Sequence, residues 1–195
     1  HKIVSSVKYW EWPAYQPDMD KSEDEFSTLI IDALKSSVDE QLVADVEVGS
    51  FLSGGLDSSL LAVLANNSCS RLKTFTIDCG GGSDGFQTDL PYARRVAQDH
   101  GMDLDIVPVK SICPNDLSEM IYHLDEVQGD PAPINLGLIS ELAKDSNIKV
   151  LLSGAGGDDV FSGYRRHYAL MQEPIWSWMP LIIRRTLKLL SGLLP

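Results

Sequence analysis

Short strand-like segments alternate with helical segments along most of this chain, and no other feature of the sequence constrains its fold more. The predicted strands are residues 46–52, 73–78, 104–109 and 148–152. The predicted helices are residues 58–65, 89–100, 115–123 and 136–144, after a first helix that starts at the capping-box pair Ser22 and Glu25. Strands that alternate with helices pair in parallel, and the helices then cover both faces of the sheet. We therefore predict an α/β fold with a parallel β-sheet.

The charge and the cysteine content narrow the range of functions. Sixteen Lys and Arg against 28 Asp and Glu give a net charge of −12 at pH 7. A surface this acidic repels a phosphate backbone, which argues against nucleic acid as a partner, so any bound anion must be held by a local device. The three cysteines form neither a CxxC pair nor a disulfide framework. They indicate a reducing, cytoplasmic setting and are predicted to be buried packing residues: Cys69, Cys79 and Cys113.

The two ends of the sequence differ from its centre. Residues 1–20 are aromatic and proline-containing without a period, which is typical of a linker or an arm. The first residue is His1 rather than Met, so we interpret the sequence as a piece of a longer protein. Residues 167–195 are apolar and basic, but charges and Pro180 interrupt them, and we predict no transmembrane segment. They fit a helix whose packing partner lies beyond Pro195 better than an amphipathic helix at a membrane surface.

The segment between the first strand and the following helix carries the strongest functional signal. It reads Ser53-Gly54-Gly55-Leu56-Asp57-Ser58-Ser59. Two glycines let the backbone turn tightly against a ligand, and unpaired amides at a helix start, with serine hydroxyls, form an anion site. A carboxylate in such a loop would repel phosphate, so Asp57 indicates a Mg²⁺ ion between the two anions. The alternative is a structural turn in which Asp57 or Ser58 caps the helix.

A second loop repeats this pattern after the last predicted strand. It reads Ser153-Gly154-Ala155-Gly156-Gly157-Asp158-Asp159 and precedes a short predicted helix that contains Phe161. In a parallel sheet both loops leave from the carboxyl ends of their strands, where ligands bind. Asp158 could supply a second carboxylate to the same Mg²⁺, although Asp158 and Asp159 could also cap the helix.

These loops carry a specific resemblance. The first resembles the SGGxDS loop of the N-type, or PP-loop, ATP pyrophosphatases. The pair, with Gly163-Tyr164-Arg165-Arg166, resembles the synthetase domain of glutamine-dependent asparagine synthetases. Further matching stretches lie at residues 9–13, 45–49, 92–97 and 123–126. The resemblance implies an adenine-nucleotide α-hydrolase-like fold in three parts: a linker (1–20) that follows a glutaminase domain, an ATP-pyrophosphatase synthetase domain (21–166) and the start of a helical extension (167–195).

The resemblance also implies a reaction and its site. A carboxylate, aspartate in the family, attacks the α-phosphorus of ATP and displaces pyrophosphate. Ammonia from glutamine, released by a glutaminase domain of the same parent chain, then converts the acyl-adenylate into the amide and AMP. Leu52 and Ile77 would contact the adenosine, and Ser153 and Gly154 would approach the ribose and α-phosphate. The remaining implied residues hold the phosphates (Ser53, Gly54, Gly55, Ser58, Ser59) and ligate Mg²⁺ (Asp57, Asp158).

Two positions depart from the family pattern. Ala155 stands where relatives usually carry an acidic residue near the reacting carbonyl, so no catalytic residue is assigned here. The only lysine after Arg166 is Lys188, and we do not assign it the role of the family's adenylate-stabilising lysine. Two alternatives therefore stay open. One is an amidotransferase that acts on a different carboxylate, such as a sugar acid or a secondary-metabolite precursor. The other is a catalytically impaired nucleotide-binding module.

Overall fold

Four parallel strands form the sheet in the described part of the chain. The computed structural model describes residues 5–11, 20–78, 80, 89–109, 113–130, 132–180 and 182–185. The strands are β1 (Val48–Phe51), β2 (Lys73–Asp78), β3 (Asp103–Pro108) and β4 (Val150–Leu152). Their order across the sheet is β3-β2-β1-β4, and every neighbouring pair is parallel. The predicted parallel sheet is thus confirmed, and each of its strands falls within two residues of its predicted start.

Helices follow the strands as the alternating pattern predicts. They are α1 (Glu23–Gln41), α2 (Leu56–Ser68), α3 (Leu90–His100), α4 (Pro114–Leu124), α5 (Ala132–Asp145), α6 (Gly157–Val160), α7 (Arg165–Met171) and α8 (Glu173–Ser177). Residues 182–185 are also helical. The predicted capping box begins α1, because the Ser22 hydroxyl accepts a hydrogen bond from the Glu25 amide at 3.3 Å while the Glu25 carboxylate accepts one from the Ser22 amide at 2.7 Å. The hydrogen bonds that the Glu25 carboxylate accepts from the Ser22 amide and from the Ser22 hydroxyl lower the pKa of Glu25.

Helices cover both faces of the sheet, as predicted. On one face, helices α1, α2 and α3 bury an apolar cluster around Val38, Leu52 and Ala97. On the other face, α5 packs Ile139 and Ala143 against Phe75. Successive side chains of a strand point to opposite faces, so neighbouring strand residues contribute to different clusters. Because apolar side chains are buried on both faces of the sheet, the register of each strand is fixed. The register in turn fixes the position at which the loop after the strand begins.

The topology brings two distant loops together at one edge of the sheet. The chain runs outward from β1 to β2 and β3 and then returns to place β4 on the other side of β1. Ser50 of β1 lies opposite Leu152 of β4 in the pairing register. The carboxyl ends of β1 and β4 therefore flank the point at which the strand order reverses, where α/β sheets open a crevice for ligands.

Helix starts and ends account for the differences from prediction. Helix α2 begins at Leu56, two residues earlier than predicted, because the extended backbone of Gly55 (φ −70°, ψ 164°) serves as its N-cap. The alternative in which Asp57 or Ser58 caps this helix is therefore wrong. Helix α6 ends at Val160, so Phe161 follows the helix instead of lying in it. Gly101 ends α3 in the left-handed conformation (φ 65°).

Several predictions fall at the surface or outside the described residues. Cys69 and Cys113 are exposed, so the prediction that they are packing residues is wrong, and Cys79 lies outside the described residues. Residue 181 and residues 186–195 of the apolar tail, Lys188 among them, also lie outside the described residues, which leaves the two interpretations of that tail untested. Within the described ranges, no helix combines the length and the apolar character needed to cross a membrane.

We expect the capping box to contribute measurably to stability. Replacing Ser22 with Ala leaves the Glu25 amide without its side-chain acceptor, so the free energy of unfolding should fall by about 1 kcal/mol. Urea unfolding followed by circular dichroism would measure it. Ser36→Ala is the matched control, because this exposed serine lies in the interior of the same helix and alanine is the better helix former there. A control loss as large as that of Ser22→Ala would contradict the capping role.

Candidate active site

The first loop turns sharply after β1 and rests on the start of α3. Gly54 has φ +92°, a conformation that side chains rarely adopt. A Cβ at this position would also lie 2.8 Å from the Ala93 amide nitrogen and closer still to the Asp89 carbonyl oxygen. Gly54 is therefore required both by its backbone conformation and by its contact with α3, and this contact sets the direction in which the loop leaves the sheet.

Serine side chains brace the loop from within. The buried Ser58 hydroxyl accepts a hydrogen bond from the Ser53 amide at 3.2 Å and donates one to the Gly55 carbonyl at 3.2 Å. It also lies 2.8 Å from the Ser53 hydroxyl, which accepts a hydrogen bond from the Gly55 amide at 3.3 Å. The Gly55 N-cap offers no side chain to the first amides of α2. The loop is thus held rigid by its serines while the N-terminal amides of the helix lack a side-chain cap.

The second loop packs directly on the first turn of α2. A Cβ at Gly154 would lie 2.9 Å from the Ser58 amide nitrogen and 3.1 Å from Asp57 Cβ. At Gly157 the added atom would overlap the Asp57 carboxylate, at 2.5 Å from its Cγ. Two glycines of one loop thus leave the space that the aspartate of the other loop occupies. The predicted juxtaposition of the two loops is present in the structure.

Both predicted metal-ligating aspartates border the same cleft, which has a volume of about 420 Å³. Asp57 is half-buried and Asp158 is exposed. The other lining residues include six of the residues singled out from the sequence: Ser53, Gly55, Ser58, Ser153, Gly154 and Ala155. The rest of the lining comprises Leu56, Gly157, Phe161 and Gly163.

The electrostatics of the cleft suit a cation-bridged anion. Its lining has two carboxylates and no lysine, arginine or histidine. A phosphate group bound here would therefore meet negative charge unless a cation accompanied it. Among the described residues no three His, Cys, Asp or Glu side chains gather as a metal site, and the described lining of the cleft offers two carboxylates. That donor set fits Mg²⁺, which is commonly bound by one or two carboxylates together with substrate phosphates.

Four of the predicted nucleotide-binding residues do not line the cleft. Leu52 is fully buried in the core, and Ile77 packs against the apolar cluster on the opposite face of the sheet. Gly54 contacts α3, as described above. The Ser59 hydroxyl is buried and has no hydrogen-bond partner among the described residues, a cost that a ligand could offset. The ligand contacts of these four residues stay predictions.

Sequence reasoning missed the roles of Gly157, Phe161 and Gly163 in the cleft. The chain reverses after α6, where Ser162 adopts a positive φ of 61° and the Gly163 amide donates to the Asp158 carbonyl at 3.0 Å. This reversal returns Gly163 to the cleft. The sequence feature that could have pointed to Gly163 is the motif Gly163-Tyr164-Arg165-Arg166. This motif supported the family resemblance but did not indicate a role for the glycine.

Comparison with known proteins identifies the family. The sequence model of the asparagine synthase family matches residues 29–194. The chain belongs to the asparagine synthase family. It is 34% identical over 154 residues to asparagine synthetase [glutamine-hydrolyzing] 1 of Bacillus subtilis, covering 78% of this chain and 23% of that protein. It is 35% identical over 172 residues to the putative asparagine synthetase [glutamine-hydrolyzing] 2 of Methanocaldococcus jannaschii, covering 84% of this chain and 31% of that protein. The chain thus spans less than a third of these relatives.

A solved structure supports the fold. The U34-tRNA thiolase NcsA of Methanococcus maripaludis superposes with a TM-score of 0.51 at 23% identity, covering 78% of this chain and 52% of that one. At this level of identity the likeness speaks for the fold alone. The predicted adenine-nucleotide α-hydrolase-like fold of the PP-loop class is confirmed.

The two neighbouring glycines of the first loop, Gly54 and Gly55, should differ sharply in how well they tolerate replacement by alanine. Gly54→Ala introduces left-handed strain and a clash with α3, so we expect it to lower the free energy of unfolding by about 2 kcal/mol or more. Gly55→Ala is the matched control, because its φ is −70° and its Cβ would meet only the Ser53 hydroxyl, at 3.4 Å. Urea unfolding measures both variants, and equal losses would contradict the role of Gly54.

Proposed function

We propose that this domain binds ATP in the cleft between the two loops and forms an amide in two steps. The observation that carries the proposal is the packing of Gly154 and Gly157 around Asp57, which joins both loops into one site at the reversal point of the sheet. Family membership supports an ATP-dependent ligase of the asparagine-synthetase type. The triphosphate would lie along the uncapped start of α2, whose amides and dipole favour an anion.

Asp57 and Asp158 are the residues that would hold Mg²⁺. The ion, when bound, supplies positive charge that neutralises the phosphate oxygens and the departing pyrophosphate. Phosphate, metal and two carboxylates together make a site that is far less repulsive than a phosphate beside two carboxylates alone. This proposal explains how a chain with net charge −12 can bind a polyanion.

The chain's own groups contribute position and fixed dipoles. In the first step a carboxylate oxygen of the substrate, aspartate by family analogy, forms a bond to the α-phosphorus while the bond to the β-phosphate breaks and pyrophosphate leaves. The uncapped amides in the first turn of α2 would stabilise the charge that develops on the leaving group. In the second step ammonia bonds to the acyl carbon, AMP leaves as the C–O bond breaks, and the attacking nitrogen loses a proton to water. The serine-braced loop keeps these amides fixed throughout.

The domain organisation completes the proposal. Residues 21–166 would form the ATP-pyrophosphatase synthetase domain, and residues 167–195 would begin a helical extension. Residues 1–20 would link this domain to a glutaminase domain of the same parent chain, the source of ammonia, in the cytoplasm. The glutamine-hydrolyzing names of much longer relatives support this arrangement.

A second candidate rests on Ala155. This residue lines the cleft and is exposed, and its amide donates to the Ser153 hydroxyl at 3.2 Å. Alanine offers no group that could bind an ammonium group of a substrate or accept a proton from attacking ammonia. The cleft therefore also suits a carboxylate substrate other than aspartate, such as a sugar acid.

ATP binding should depend on Mg²⁺ and on Asp57. Isothermal titration calorimetry of the wild type should show ATP binding that strengthens with Mg²⁺, and Asp57→Ala should lose at least about tenfold in affinity because the metal loses a carboxylate ligand. Asp32→Ala is the matched control, since Asp32 lies on the exposed side of α1, away from the cleft. Equal Mg²⁺-dependent binding by Asp57→Ala and wild type would refute the metal role.

The identity of the acid can be read from pyrophosphate release. With ATP, Mg²⁺ and ammonium present, the intact parent protein should release pyrophosphate only when its own carboxylate substrate is added. Stimulation by aspartate alone would support the first candidate and remove the second, whereas stimulation by a sugar acid would do the reverse. Release with none of a broad panel of acids, together with intact ATP binding, would favour a nucleotide-binding module without catalysis.

A further inference from the structure

The carboxylate of Asp158 rests on the backbone of Gly163. A Cβ at position 163 would lie 2.8 Å from Asp158 Cγ, 3.2 Å from Asp158 Cα and closer still to the carboxylate oxygen Oδ1. The Gly163 amide also donates to the Asp158 carbonyl at 3.0 Å. The same glycine thus ties the backbone of Asp158 and borders the space in which its carboxylate lies.

Asp57 has an equivalent neighbour in the other loop. Its carboxylate lies against Gly157, where an added Cβ would come within 2.5 Å of Cγ and 3.2 Å of Asp57 Cβ. Each acidic side chain that borders the cleft is therefore in contact with a glycine whose missing side chain leaves room for it. At no other glycine among the described residues would an added Cβ lie so close to a carboxylate group.

Conformation does not explain these two glycines. Gly157 and Gly163 lack the left-handed φ values that Gly54, Gly101 and Gly156 show. Alanine could adopt either backbone conformation, so the requirement for glycine comes from space alone. The carboxylate is the group that would have to move, because it is the nearest atom group to the added Cβ in both cases.

A separate contact network holds the reversal in place. Arg166 pairs with Asp159 at 2.8 Å and lies over the Tyr164 ring at 4.0 Å from its centroid. Arg166 thus neutralises the aspartate next to Asp158 and anchors the residue that follows Gly163. Asp158 itself has no ion pair among the described residues.

We propose that Gly157 and Gly163 are positioning residues that set the orientations of the Asp57 and Asp158 carboxylates for a shared divalent cation. This inference rests on the proposed function. Neither glycine offers a side chain to a metal; each acts by leaving the space that the carboxylate of its aspartate occupies. The two loops therefore orient one carboxylate each, and Gly157 makes the orientation of Asp57 in the first loop depend on the second.

The test compares Gly163→Ala with the wild type and with Gly129→Ala. Calorimetry gives the ATP affinity over a range of Mg²⁺ concentrations, and the measured quantity is the Mg²⁺ concentration that produces half of the gain in affinity. We expect Gly163→Ala to raise this Mg²⁺ concentration about tenfold or more. Gly129→Ala should match the wild type, because nothing lies within 4 Å of its added Cβ.

A double-mutant cycle separates positioning from a general structural role. If Gly163 acts through the Asp158 carboxylate, Gly163→Ala should have no further effect on Mg²⁺ dependence in an Asp158→Ala background. Additive effects would overturn the inference, and so would loss of folding in Gly163→Ala by circular dichroism. If Gly163→Ala shows the same Mg²⁺ dependence as the wild type, the inference is overturned but the proposed function is not. Absence of Mg²⁺-dependent ATP binding in the wild type would instead remove the proposed function, and the inference with it.

Discussion

The contact between Asp57 and the glycines of the second loop is the interaction on which the rest of the site depends. Asp57 belongs to the first turn of α2, whereas Gly154 and Gly157 belong to the loop after β4. Because side chains are absent at 154 and 157, the two loops approach closely enough to border one cleft. A larger residue at 154 would press on the backbone of α2 and push the loops apart, whereas a larger residue at 157 would displace the Asp57 carboxylate.

Electrostatics and shape resolve an apparent conflict in this protein. The chain is strongly acidic, yet its most specialised loops have the features of an anion site. Backbone amides and a helix dipole carry no formal charge, so they can attract phosphate locally without changing the net charge of the surface. The two carboxylates in the cleft add repulsion that a divalent cation would reverse. On the proposed function, the cleft would therefore favour a metal-bound polyanion over a free one.

The sequence predicted the layered architecture well because that architecture depends on local periodicity. Strand β2 was predicted at its observed bounds, and the capping box at Ser22 located the start of α1. The start of α2 was missed because Gly55 caps it with backbone alone, which leaves no side-chain signal. Gly163 could not be assigned from the sequence, because its role arises from a chain reversal that brings it onto Asp158. The burial of Leu52 likewise depends on how three helices pack on one face.

The pairing of β1 with β4 has a thermodynamic consequence. Ser50 and Leu152 are neighbours in the sheet although 102 residues separate them along the chain. A partly folded chain that has not yet added its last strand lacks half of the cleft. A ligand that needs both halves binds only the complete fold, and it therefore draws the folding equilibrium towards that state as its concentration rises. Destabilising substitutions far from the cleft would then weaken the apparent affinity for the ligand, because fewer molecules are folded and able to bind it. A saturating concentration of nucleotide would restore the folded fraction.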